Sequence, residues 1–193
     1  MKKILIKLLF LFFICFPVNS EIKILPIIEG NIDAKIKLII FESLTCGHCA
    51  DFHKDVYPEL KENYIDTGLA SIEFKSFPLD IAALNASKVA HCKNDGKSEI
   101  LHFLFDNQSK WAKGNSIEQF NENLKKILDG QKFAVDFNKC IGNKKIEDYV
   151  LENRIEGVKK FKINATPTII INGEKFNKPL TFKNLKKFLE KLI

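Results

Sequence analysis

The sequence predicts an α/β fold: a small sheet between helices, interrupted by one long helical block. Three observations carry this. Apolar, β-branched runs occur at 36–41, 69–77 and 168–171, towards the two ends of the chain. Between 80 and 161 such runs disappear and helical spacing takes over. The order strand–turn–strand–helix after 167 then completes what strand–helix–strand began, so that the flanking pieces make one sheet and the block reads as an insertion.

Residues 1–20 stand apart from that fold. Lys2, Lys3 and Lys7 make a positive start, and the apolar run 8–16 is short for a bilayer span. Val18-Asn19-Ser20 then offers modest side chains before Glu21. This pattern reads as a secretory signal cleaved near Ser20, with an uncleaved anchor as the alternative. Ile14 before Cys15 argues against lipid attachment, which needs a small residue there.

Residues 21–34 are a lead-in with a short strand expected at 22–25. The run IKLIIF at 36–41 suits a strand buried on both faces. Phe52, Val56, Leu60 and Tyr64 recur at helical spacing, with Pro58 inside the stretch to kink it and Gly68 to end it. LASIEFKSF at 69–77 alternates as a second strand. Helices are expected at 81–93, 97–110, 116–129, 132–141 and 144–161. Ser116 and Gln119 fit a capping box, and Gly130 fits a C-cap. Asn172-Gly173 signals a hairpin between 168–171 and 174–177. Thr181 caps a last amphipathic helix over 182–192.

The segment LTCGHCADFH, 44–53, holds the chemistry. Cys46 follows a strand and opens a helix, where free N–H groups and the positive dipole end favour a thiolate. A Cys-X-X-Cys so placed has its first thiol pulled below the ordinary range. His48 adds a positive charge when protonated, and Gly47 permits a tight turn and leaves the sulfur open. Stabilising the anion of Cys46 makes the disulfide form the stronger oxidant. Zinc is the rival, since Cys46, His48, Cys49 and His53 are all ligand types. However, no second ligand pair has recognisable spacing: His91-Cys92 is adjacent and Cys140 stands alone. Removing 1–20 takes Cys15 from the five cysteines and leaves four, an even set that fits disulfides in an exported protein. Pro167 precedes the late strand and begins it either trans or cis.

Losing 1–20 also removes three Lys and no acid, so the formal charge falls from +6 to +3. That is too mild for a nucleic-acid partner. Lys125-Lys126 and Lys186-Lys187 are the paired bases of solvated helix faces.

The residues CGHC after an apolar strand, the proline-kinked helix, the helical insertion and TPT at 166–168 resemble the thioredoxin-fold disulfide oxidoreductases. FPLD at 77–80 and ALNASKVAHC at 83–92 narrow the resemblance to the bacterial DsbA-like branch, over about 35–192. The resemblance implies a thioredoxin fold of 21–79 and 162–193 with 80–161 as an inserted helical subdomain. It implies catalysis by Cys46 and Cys49 with His48, a cis Pro167 packed against them, and Thr166 presenting its backbone to an extended substrate. It calls for no cofactor and no metal. Its partners would be unfolded or reduced exported proteins and a membrane thiol oxidase for recycling, in the periplasm. Relatives often carry a buried acid six residues before the first cysteine. Here that position is Ile40, with Glu42 on the same strand face as a partial substitute. Cys92 and Cys140 read as a structural disulfide within the insertion, the alternatives being two free thiols or a second redox pair beside His91. His53 is expected in solvent, with a proton relay as the alternative, His102 on a helix face without a catalytic role, and Trp111 in the core or at the domain interface. The function expected is introduction of disulfides. The alternatives are a reductase or isomerase of the same fold, a metal-binding thiol protein, and a module that only holds unfolded chains.

Overall fold

A computed structural model describes residues 23–193. The proposed signal at 1–20 lies outside them. The strands are β1 (Ile27–Gly30), β2 (Ile36–Glu42), β3 (Ala70–Ser76), β4 (Thr168–Ile171) and β5 (Glu174–Lys175). They form one sheet in the order β1-β3-β2-β4-β5. The pair β2/β3 is parallel, Ile36 facing Ala70, and the other neighbours are antiparallel. The first strand thus lies later than expected: Lys23–Leu25 are not strand, and the pairing with β3 begins at Ile27 opposite Phe74.

The period-two alternation of β2 assigns its two faces. Ile36, Leu38 and Ile40 enter the main core with Phe52, Val56, Ile72, Phe74, Leu185 and Leu189. Phe41 enters a second cluster with Phe77, Ile163 and Ile170 on the other face. Helices α1 (Gly47–Asp55), α2 (Tyr57–Leu60) and α9 (Phe182–Leu189) supply the first layer. Pro58 is the second residue of α2, and the helix pauses at Val56, so the expected kink falls just before the proline. A π-helical turn, Lys61–Ile65, continues α2.

Between β3 and β4 run α3 (Ile81–Ala90), α4 (Glu99–Asp106), α5 (Gln108–Trp111), α6 (Ile117–Leu128), α7 (Phe137–Gly142) and α8 (Lys144–Phe161). Several elements end earlier than expected, α3 at Ala90, β5 at Lys175 and α9 at Leu189, and two further boundaries differ for physical reasons. The stretch 97–110 breaks at Asn107, which turns Gln108 back towards the strand–helix loop. The stretch 132–141 is helical only from Phe137, because Asp136 Oδ1 accepts from Lys139 N and caps it there. At α6, Ser116 Oγ accepts from Gln119 N, while Gln119 Oε1 reaches Asn115 N. The reciprocal half of that box is therefore displaced by one residue. The last helix turns pass from the insertion back to the sheet. A Cβ on Gly157 of α8 would meet the Phe41 ring at 3.0 Å, so glycine lets α8 close on the second face. Cys92 and Cys140 are bonded across 48 residues and tie the end of α3 to α7. Trp111 is fully buried, and its Nε1 donates to Leu104 O at 2.8 Å.

Candidate active site

Cys46 is the N-cap of α1 in an extended conformation, directly after β2 and its short loop. The N–H groups of Cys49 and Ala50 both donate to its carbonyl at 3.2 Å. Its sulfur is left at the open end of the helix. Gln108 Nε2 donates to Leu44 O at 2.9 Å and to Cys46 O at 3.0 Å, and so clamps the loop from the helical block. Thr45 Oγ1 donates to Asp80 Oδ2 at 2.7 Å, while Asp80 Oδ1 caps α3. Neither contact was legible in the sequence, because both join residues more than thirty positions apart through short polar side chains.

The two thiols are unbridged and unequal. Cys46 is half-buried and Cys49 is fully buried. The Cys46 thiol is pulled down to about 5 from the ordinary 9.0. The Cys49 thiol donating to it is the main cause, helped by the Thr166 side chain and the backbone N–H groups of Cys49 and His48. Thr166 Oγ1 itself is buried without a hydrogen-bond partner. Cys49 moves the other way, pushed strongly up by burial, by its bond to Cys46 and by the charge of Glu42.

Thr166–Pro167 is a cis peptide bond. Cys46 Sγ lies 3.4 Å from Thr166 O, which brings the two sequence-distant segments together. Beside them a groove of about 850 Å³ runs along α1 and α2, lined by His48, Phe52, Val56, Pro167, Leu180 and Phe182. The His48 ring is 88% exposed and lies 3.5 Å from Asp51, and its backbone N–H is what reaches Cys46. Gly47 is an ordinary first helix residue, and a Cβ there would touch nothing, so the backbone does not demand glycine.

One expectation about histidines needs correcting. His53 is buried, not solvated: its ring stacks on Phe105 with centroids 4.0 Å apart, and Nε2 lies 2.8 Å from Glu42 Oε2. A histidine four residues beyond Cys49 on the same helix falls on the core side, and the helical period signals that much. His102 lies on α4 as expected, with its Nδ1 3.2 Å from His53 Nδ1. The four residues weighed as zinc ligands are not brought together. Among the described residues no three His, Cys, Asp or Glu side chains converge as a metal site. His91, beside the disulfide, is buried against Tyr149 and pushed down to about 4 by that burial.

A five-stranded mixed sheet with a dithiol at the head of its first long helix, facing a cis-proline turn, defines a thioredoxin-type redox protein. Residues 24–191 match the family model described as thioredoxin, and the chain belongs to that family, in its DsbA-like branch. The crystal structure of Wolbachia pipientis alpha-DsbA1 superposes with a TM-score of 0.74 at 30% identity, over 86% of this chain and 90% of that one. A Rickettsia bellii protein with the provisional name protein-disulfide oxidoreductase is 31% identical over 160 residues, 82% of this chain and 61% of its own length. The disulfide bond formation protein D of Bacillus subtilis is 25% identical over 190 residues, 90% of this chain and 79% of that protein. The chain spans between 52% and 61% of the length of the Rickettsia relatives it matches.

Proposed function

We propose that the chain is an exported thiol:disulfide oxidoreductase that introduces disulfides into reduced secreted or envelope proteins through Cys46 and Cys49. The observation that carries this is the inequality of the two thiols: Cys46 held at about 5, Cys49 pushed up. A stable thiolate at 46 favours the reduced dithiol over the disulfide, so the disulfide gives itself away readily. A substrate thiolate attacks Cys46, the Cys46–Cys49 bond breaks, and Cys49 leaves and takes a proton. A second substrate thiolate attacks the first substrate sulfur, and Cys46 departs as a thiolate, a good leaving group because of its low pKa. Two substrate thiols have then lost two electrons to the site. A membrane thiol oxidase, through its own disulfide, takes them on.

Thr166 and Pro167 border the groove, and an extended substrate chain laid along it would pair with the Thr166 backbone. In this reading 21–79 and 162–193 form the redox domain, and the helices of 80–161 cover the flank of the thiols. Export rests on the Lys-led apolar segment at 1–20, and a periplasmic setting would keep such a disulfide oxidised. Equilibration with glutathione buffers tests the direction. A potential well above the roughly −270 mV of thioredoxin is expected. A value at or below it would make the protein a reductase.

A further inference from the structure

Behind the dithiol lies a chain of titratable side chains that the reaction above does not use. Glu42 Oε2 is 2.8 Å from His53 Nε2, His53 Nδ1 is 3.2 Å from His102 Nδ1, and His102 Nε2 is 2.6 Å from Glu29 Oε1. Side-chain exposure is 2% and 3% at Glu42 and His53, and 25% and 14% at His102 and Glu29. The chain therefore starts in the core and ends at the rim. At its inner end the backbone of Ser43, the residue after Glu42, hydrogen-bonds to Cys49, and the charge of Glu42 raises that thiol. Glu42 Oε1 is buried without a partner. At the outer end Tyr57 donates to Glu29 Oε2, and Lys61, itself paired with Asp66, lies 3.4 Å from the same oxygen. Phe74, Phe105 and the Tyr57 ring wall the two histidines. The charged and titratable groups facing the chain are thus Cys49, Tyr57 and Lys61, with Asp66 behind Lys61.

Three contacts link the four groups, and each requires one proton. Glu29 is ionised: burial alone would raise it, but hydrogen bonds from His102, Ser98 and Tyr57 hold it at about 2. With both carboxylates accepting, the three contacts need three protons on two rings, one more than two neutral imidazoles carry. If Glu42 takes up a proton, the rings can release one outward and both become neutral. A proton entering at the core thus displaces one at the rim.

We propose that Glu42, His53, His102 and Glu29 carry the proton of Cys49 to solvent when the site disulfide closes. The inference rests on the redox reading above. In the closing step Cys46 is bonded to a sulfur of the oxidant. The Cys49 thiol gives its proton to Glu42 Oε1, and its thiolate attacks the Cys46 sulfur. The Cys46–Cys49 bond forms, and the oxidant's sulfur leaves with the bonding pair as a thiolate. The imidazolium proton passes from His53 to His102, the Nε2 proton of His102 passes to Glu29, and there it exchanges with water. In this path Glu42 takes the thiol's proton, and the histidines act through it.

Rapid mixing of the reduced protein with glutathione disulfide, followed by acid quench and mass analysis, separates formation of the mixed disulfide from its closure. His53→Gln and His102→Gln are expected to form the mixed disulfide at the parent rate. They should close at least about tenfold more slowly near neutral pH, the loss of one proton-transfer partner. The gap should narrow as pH rises and hydroxide takes the proton directly. Parent closure rates and an unchanged pH profile in folded variants would overturn the proposal. Slowing in His53→Gln alone would overturn the path beyond His53. Should His53→Gln fail to fold, the more exposed His102→Gln decides the matter. A parent protein that forms no mixed disulfide at Cys46 would instead fail the redox reading.

Discussion

The described residues hold two cysteine pairs, and they differ in everything except the element. Cys92 and Cys140 are bonded, far apart in sequence, and set among helix side chains where Cys140 is fully buried. Cys46 and Cys49 are unbridged, three positions apart, and set at a helix N-terminus against Thr166. The neighbouring histidine does not separate them, since both pairs have one. His91 is buried and held neutral, while the His48 ring points to solvent. What separates them is the supply of donors to one sulfur. Cys46 has a thiol, a hydroxyl and two backbone N–H groups within reach. Reactivity here is therefore a property of the helix start and the facing turn.

The largest test of that contrast removes one sulfur from each pair. Cys46→Ala should abolish disulfide transfer to a reduced protein substrate, because the attacked atom is gone. Full activity in that variant would place the chemistry elsewhere. Replacing Cys92 and Cys140 together with Ala should leave the potential and the transfer rate close to the parent's. It should lower unfolding stability by roughly 4 kcal/mol, the chain-entropy estimate for so long a loop. Denaturant titration reads the second effect and substrate oxidation the first. If the double variant lost turnover while folded, the pair would be a second redox centre and the contrast would fail.

Much of this contrast was legible in the sequence, and the reasons are local. A β-branched run followed by Cys-X-X-Cys specifies a strand, a helix start and a thiol at the junction within fifteen residues. The caps at Ser116, Asn172-Gly173 and Thr181 are equally local, and the structure has them at those positions. The burial of His53 was less legible. Helical period places it on the inner face, but only the fold shows that Glu42 and His102, from β2 and α4, meet it there. Gln108 was invisible for the same reason: a polar residue on a surface-like stretch gives no sign that its amide reaches back 64 positions to Leu44. Patterns of two and 3.6 residues reveal faces, whereas contacts between faces depend on how the elements pack.

A smaller effect sharpens the comparison through pH. The Cys46 thiol is depressed in the folded reduced protein, to about 5 from 9.0. A depressed group stabilises the fold fully above its unfolded value and loses that contribution as pH falls through the folded one. The oxidised protein has no thiol at 46 and no such dependence. The reduced form should therefore gain stability relative to the oxidised form as pH rises from about 5 towards 9, and lose the gain on acidification. Cys49, raised when folded, opposes this only near and above its ordinary value of 9.0, so the mildly acidic to neutral window reports Cys46. The difference in Tm between the two forms across that window is the measurement. A flat difference would mean an ordinary thiol. The Cys92–Cys140 bond is present in both forms and cancels.

The smallest expected effect concerns His48, the residue between the site cysteines. If the ring charge lowered the Cys46 thiol, His48→Ser would raise it substantially. The ring is instead 88% exposed and 3.5 Å from an Asp51 carboxylate that is itself 69% exposed, where solvent screens such charges. The contribution of this residue to Cys46 comes from its backbone N–H, which serine retains. Ultraviolet titration of the thiolate should therefore find Cys46 in His48→Ser within about half a pH unit of the parent. A rise of more than about one unit would return the ring to the catalytic set. It would also mean that side-chain charge, as well as hydrogen-bond donors, distinguishes the two cysteine pairs.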